Sequence, residues 1–210
     1  MNGMRRAWYL MLLPAMLLGV RPAAAQGSAP PRGYGSLHQD DLALRIRTSD
    51  LDIRFVPLDA RVTRLLAADS WESLRSLVES RWRSIDSLAD AAGISRPGLA
   101  LVTFFGQSAN ARFDPQTLNV GVRGRVFRPL GIVPFSGRFN SQQLAVREQV
   151  SAIYLFEEDL PVNDSFTISY AGQTSDDWLR KQQVLDRERA RVALRERSSR
   201  PDTQAADSGR

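Results

Sequence analysis

Trp71, Leu74, Val78, Trp82, Ile85, Leu88 and Ala92 fall three or four positions apart, which places them on one stripe of a long helix. Ser70 stands where a side chain could cap its start. Gly93 followed by the apolar Ile94 suits a left-handed stop. This spacing predicts that Trp71, Leu74, Val78, Trp82, Ile85 and Leu88 face the core; tryptophans at helical spacing could instead line a ligand site.

On both sides of the stripe the period shortens to two. Leu42, Leu44 and Ile46, then Leu51, Ile53 and Phe55, alternate with polar residues across Thr48-Ser49-Asp50, as two strands joined by a turn would. A short helix capped by Asp59 and carrying Val62, Leu65 and Leu66 is expected before the long one. Residues 99–105 form an apolar run suited to a strand buried on both faces. Leu118, Val120, Val122 and Val126 then alternate with Arg123, Arg125 and Phe127, and Pro129 and Pro134 break the next stretch into a loop. Residues 150–156 read as another buried strand, and Phe166, Ile168 and Tyr170 alternate once more. The fold class is therefore α+β: a mainly antiparallel sheet or sandwich of about six strands, with a long amphipathic helix inserted after the second strand and a basic helix at the C-terminus.

The chain ends read differently. Residues 1–25 carry Arg5 and Arg6, an apolar run over residues 7–20 and Ala23-Ala24-Ala25 before Gln26, the pattern of a secretory signal peptide cleaved after Ala25. The run contains Pro14 and Gly19 and falls short of the ~20 residues that a membrane-spanning helix needs. The Arg5-Arg6 pair fits either general or twin-arginine export. The mature chain is thus expected in the periplasm or outside the cell, with no transmembrane segment. The remaining organisation is a flexible leader over 26–36, a globular domain over 37–174, the C-terminal helix over 175–198 and a disordered tail over 199–210.

Composition narrows the chemistry. The chain has no cysteine, which excludes a disulfide framework, a lipid-anchored cysteine, a thiol nucleophile and a thiolate metal site. Loss of Arg5, Arg6 and Arg21 with the signal lowers the 28 basic residues to 25 against 23 acidic ones, so the mature chain is nearly balanced and no nucleic-acid partner is expected. His38 is the only histidine, at a poorly ordered position before the first strand, and no nucleophile elbow, phosphate loop or zinc-protease signature is present. No cofactor and no metal are expected.

Two polar clusters remain. Glu157, Glu158 and Asp159 end an apolar strand; they read as a solvated turn, or as the carboxylates of a histidine-free hydrolase. With Asn163 and Asp164 they supply oxygen ligands but lack a known calcium-loop spacing, so chelators should have no effect. Arg123 and Arg125, expected on one strand face with Arg128 and Arg138 around the following loop, could fork a carboxylate or phosphate, or simply keep a half-exposed strand soluble. In the C-terminal helix, eight basic residues stand against Asp186, Glu188 and Glu196 over 178–200. Its stripe of Trp178, Leu185 and Val192 looks too thin to bury the helix deeply against its own domain, which leaves either a solvated helix, whose Asp176 and Asp177 at the start and arginines toward the end suit the helix dipole, or one that meets a partner or an acidic surface such as anionic lipid headgroups. The leading expectation is a non-catalytic, envelope-associated binding or scaffolding domain that contacts an envelope component or another exported protein. The alternative is a carboxylate-dependent hydrolase of envelope polymers.

Overall fold

The computed structural model describes residues 34–198. The expected signal peptide over 1–25, residues 26–33 of the expected leader and the expected 199–210 tail lie outside the described residues. The elements run in the order α1 (Gln39–Leu42), β1 (Leu44–Arg47), β2 (Leu51–Pro57), α2 (Ala60–Thr63), α3 (Ala68–Ala92), β3 (Gly98–Gly106), β4 (Ala111–Arg112), β5 (Asn119–Val122), β6 (Arg125–Phe127), β7 (Gly131–Pro134), β8 (Gln143–Leu144), β9 (Gln149–Phe156), β10 (Thr167–Tyr170), β11 (Gln173–Ser175) and α4 (Trp178–Ser198). The class is α+β with antiparallel sheets. Among the described residues there are three: β1-β2-β3-β9-β7, β11-β10-β5-β6 and the ribbon β4-β8.

The central strands are apolar on both faces because they separate two layers. Leu101, Ile153 and Val133 align across β3, β9 and β7, and Ile153 and Val133 share a cluster with Ile85 and Val78 of α3. On the opposite face Phe55, Phe104, Tyr154 and Phe156 pack against Val120, Ile168 and Tyr170 of the four-stranded sheet. Phe113 and Phe139 close the end of this core, with Phe113 stacked on Phe104 at 4.5 Å between centroids.

Among the described residues eleven strands stand where about six are expected, partly because β4, β8 and β11 are two or three residues long, too short to show a period. The stretch between Pro129 and Pro134 is not only loop. It forms β7, a sheet-edge strand, where a proline without an N–H is tolerated. The long helix starts at Ala68, with Ala67 at its N-cap and no side-chain cap, while its stop is as expected: Gly93 has φ 71° and the Ile94 N–H donates to the Ala89 carbonyl at 2.9 Å.

The expected core stripe is only partly buried. Leu74, Ile85 and Ala89 are buried, Trp71 and Val78 are half-buried, and Trp82 and Leu88 are exposed, Trp82 at 55%. At 3.6 residues per turn Trp82 lies about 80° around the helix from Leu74. The sheet beneath meets α3 mainly through β7 and β9, too narrow a track to cover that arc.

Two further expectations change at the chain ends. The leader is fixed from Tyr34 onward: the Gly35 N–H donates to the Arg64 carbonyl and the Leu37 N–H to the Leu65 carbonyl, both at 3.1 Å. A Cβ on Gly35 would stand 1.9 Å from the Leu65 oxygen, so no larger residue fits this approach. The stripe of α4 is also not thin. Trp178, Leu185 and Val192 are buried against the domain, because the Trp178 ring fills the space beside Phe166 at 4.7 Å and its Nε1–H donates to the Val162 carbonyl at 3.3 Å. Glu188, 1% exposed, joins the same buried face. Its carboxylate accepts from the Ser36 N–H (2.8 Å) and hydroxyl (3.1 Å) and pairs with Arg191 and Arg195. Burial pushes this carboxyl up, but the Ser36 hydrogen bonds and the two guanidinium groups outweigh it and hold Glu188 below its ordinary value.

Candidate binding site on the long helix

The structure separates most of the polar residues singled out from sequence and neutralises several of them. Arg123 is not on a strand face. With Gly124 it forms the two-residue turn of the β5–β6 hairpin, both at positive φ. Arg123 pairs with Asp164 at 2.7 Å; Arg125 pairs with Glu158 at 3.0 Å and lies 4.8 Å over the Phe127 ring. A recess of about 420 Å³ is lined by both arginines, Asp176, Ser165 and Thr167, but Glu157, Glu158 and Asp159 are not part of its wall. These three carboxylates are exposed. They do not converge, and no group of three or more metal-ligating side chains occurs among the described residues. Arg128 is exposed, as is His38, whose backbone N–H donates to Asp41.

Arg138 stands apart from the hairpin and is committed to Glu148. Its Nε and Nη2 donate to the two carboxylate oxygens at 2.7 and 3.2 Å, and the Ala145 N–H adds a third hydrogen bond at 2.8 Å. Arg138 first, then Ala145, holds the Glu148 carboxyl down from 4.5 to about 2. Because the folded-state value is the lower one, the stabilisation is present in full above the ordinary carboxylate range and is lost as pH falls through about 2. Carbon-detected NMR titration should therefore find Glu148 titrating near the acid limit, and Arg138→Ala should return it toward the ordinary range. An unchanged midpoint in that variant would contradict the assignment.

The more distinctive surface is the part of α3 that the sheet leaves uncovered. Leu58, Thr63, Trp71, Leu74, Val78 and Trp82 enclose an apolar groove of about 400 Å³, rimmed by Arg75 and Glu79. Each side chain has a local reason for its place. The 3.6-residue period puts Trp71, Val78 and Trp82 on one edge of the stripe, and Leu58 is carried under them by the turn between β2 and α2. Arg75 and Glu79, one turn apart, pair at 2.7 Å.

The Trp71 ring is fixed on two sides, by Tyr34 at 4.8 Å between centroids and by the Arg75 guanidinium 5.1 Å over its face. Burial pushes the Tyr34 hydroxyl up, Arg75 draws it back and Glu72 adds to the rise. Trp82, by contrast, stands free at the far end.

No family model, curated protein or solved structure matches the chain. The chemistry of the groove must therefore be read from its own residues. It offers a broad apolar wall flanked by the charged Arg75–Glu79 pair, a surface suited to packing against an apolar ligand segment. Sequence reasoning weighed a ligand site at the tryptophans but preferred to assign both to the core. The available signal was angular: Trp82 sits at the margin of the stripe and is flanked by Arg81 and Arg83.

Proposed function

We propose that this protein is an exported, non-catalytic binding domain of the cell envelope, and that the α3 groove receives an apolar segment of an envelope component or of another exported protein. The observation that carries this reading is Trp82, a large aromatic left 55% exposed at the end of an apolar groove. Exposed aromatic surface of this kind is enriched at interfaces, where it supplies much of the binding energy. The outer face of α4 makes a second, weaker contact with an acidic surface. Trp178, Leu185 and Val192 are committed to the domain, and beside the exposed Leu179 and Leu194 the helix turns outward many charges, including Arg187 and Arg197, whose Nε groups donate to helix carbonyls. Such an attraction weakens with salt.

The test uses protein recovered from its own envelope, which should begin at Gln26 by intact mass. Binding to envelope fractions is then compared for the parent, Trp82→Ala and the double variant Arg187→Ser/Arg197→Ser at low and high ionic strength. Trp82→Ala should lose the co-purifying component at both, and the arginine variant should weaken binding at low ionic strength only. Retention of the component by Trp82→Ala contradicts the groove. Release of soluble fragments from envelope polymers by purified protein, abolished in Glu158→Gln, would favour the carboxylate hydrolase instead.

A further inference from the structure

Each end of the groove carries a tryptophan beside a charge. Trp71 is followed by Glu72 and, eleven residues on, Trp82 is followed by Arg83, with the Arg75–Glu79 pair between them. Glu72 and Arg83 are exposed, and neither makes an ion pair among the described residues. Eleven helical residues span about 16 Å, so these two opposite charges do not reach each other within one chain. A second copy running antiparallel brings them together.

A two-fold axis perpendicular to α3 sets two residues opposite each other across the axis when their midpoint lies on it. The midpoints of Trp71 and Trp82, of Arg75 and Glu79, and of Glu72 and Arg83 all fall at Leu77 to within half a residue. At 3.6 residues per turn these six side chains also share an arc of about 120° around the helix. One antiparallel alignment therefore sets each Trp82 at the Trp71 end of the other groove and each Glu72 against the partner's Arg83. It also brings the two Arg75–Glu79 pairs together with unlike charges facing. A parallel alignment would set like against like at each of the charged positions. From this self-complementarity we infer that the occupant of the α3 groove is a second copy of this chain, docked antiparallel about Leu77. The inference rests on the groove being a binding site and names the exported protein that fills it. A patch one helix wide, centred on two tryptophans, gives a weak, concentration-dependent dimer rather than an obligate one.

Sedimentation equilibrium of the exported chain tests this, with charge reversal as the decisive arm. The parent should dimerise as its concentration rises, and Trp82→Ala should stay monomeric. Glu72→Arg and Arg83→Glu each set like charges together twice across the axis, and each should raise the dissociation constant about tenfold. An equimolar mixture of Glu72→Arg and Arg83→Glu should recover the parent's affinity, because one copy then offers only positive charge at positions 72 and 83 and the other only negative. That recovery also shows both variants to be folded. A parent that stays monomeric up to its solubility limit overturns the dimer. So does a dimer that either single reversal leaves unchanged, or a mixture that remains monomeric while the parent associates. If the dimer fails while Trp82→Ala still abolishes capture of an envelope component, the second copy alone is removed and the groove stands. Capture that survives Trp82→Ala removes the groove reading itself.

Discussion

Trp178→Ala is expected to cost about 3 to 5 kcal/mol of stability, the range for truncating a buried tryptophan. Trp178 is 0% exposed, stands 4.7 Å from Phe166 and donates its indole N–H to the Val162 carbonyl, so the change leaves a cavity and a buried carbonyl without its donor. It also sits at the first turn of α4, where the helix is fastened to the sheet core. Against a total of roughly 5 to 15 kcal/mol for a domain, this is a large fraction. Urea unfolding should show a much lower midpoint. A midpoint equal to that of the parent would mean that α4 is not packed as described.

The second large effect is a contrast within α3. Leu74, 2% exposed, should cost about 2 to 5 kcal/mol when cut to alanine, as buried leucines do. Trp82→Ala, two turns further on, removes a larger side chain yet should cost about 1 kcal/mol or less, because more than half of it already faces solvent. Matched denaturation curves for the two variants check this. A Trp82→Ala loss as large as that of Leu74→Ala would return Trp82 to the core and leave the groove without its wall.

That contrast shows where the sequence is legible and where it is not. Alternation places β1 and β2 closely, because a slip of one residue would turn their buried set outward, and continuous apolar runs place β3 and β9, which lie between two layers. Gly93 marks the end of α3 through a backbone conformation that few other residues adopt. The width of the surface beneath α3 has no local signature, since it depends on how far β7 and β9 extend under it. Trp82 was therefore placed inside. The reverse error occurred at α4, where three apolar residues looked insufficient until Trp178 met Phe166, and Glu188 met Ser36 across a separation of 152 residues. The candidate charges were visible as residue types, but their partners were not: Arg123 reaches Asp164 and Arg125 reaches Glu158, pairs 41 and 33 residues apart that spend on each other the charge expected to serve a ligand. Exposed pairs of this kind contribute little to stability, roughly 0 to 1 kcal/mol each.

Site-specific photocrosslinking in intact cells tests the central claim most directly. A photoreactive residue at Glu79, on the groove rim, is compared with one at Arg123, in the β5–β6 turn, each with and without Trp82→Ala. The account predicts a discrete adduct from position 79 that disappears with Trp82→Ala, and none that depends on Trp82 from position 123. An adduct from position 123 alone, or one from position 79 that persists without the Trp82 ring, would contradict it.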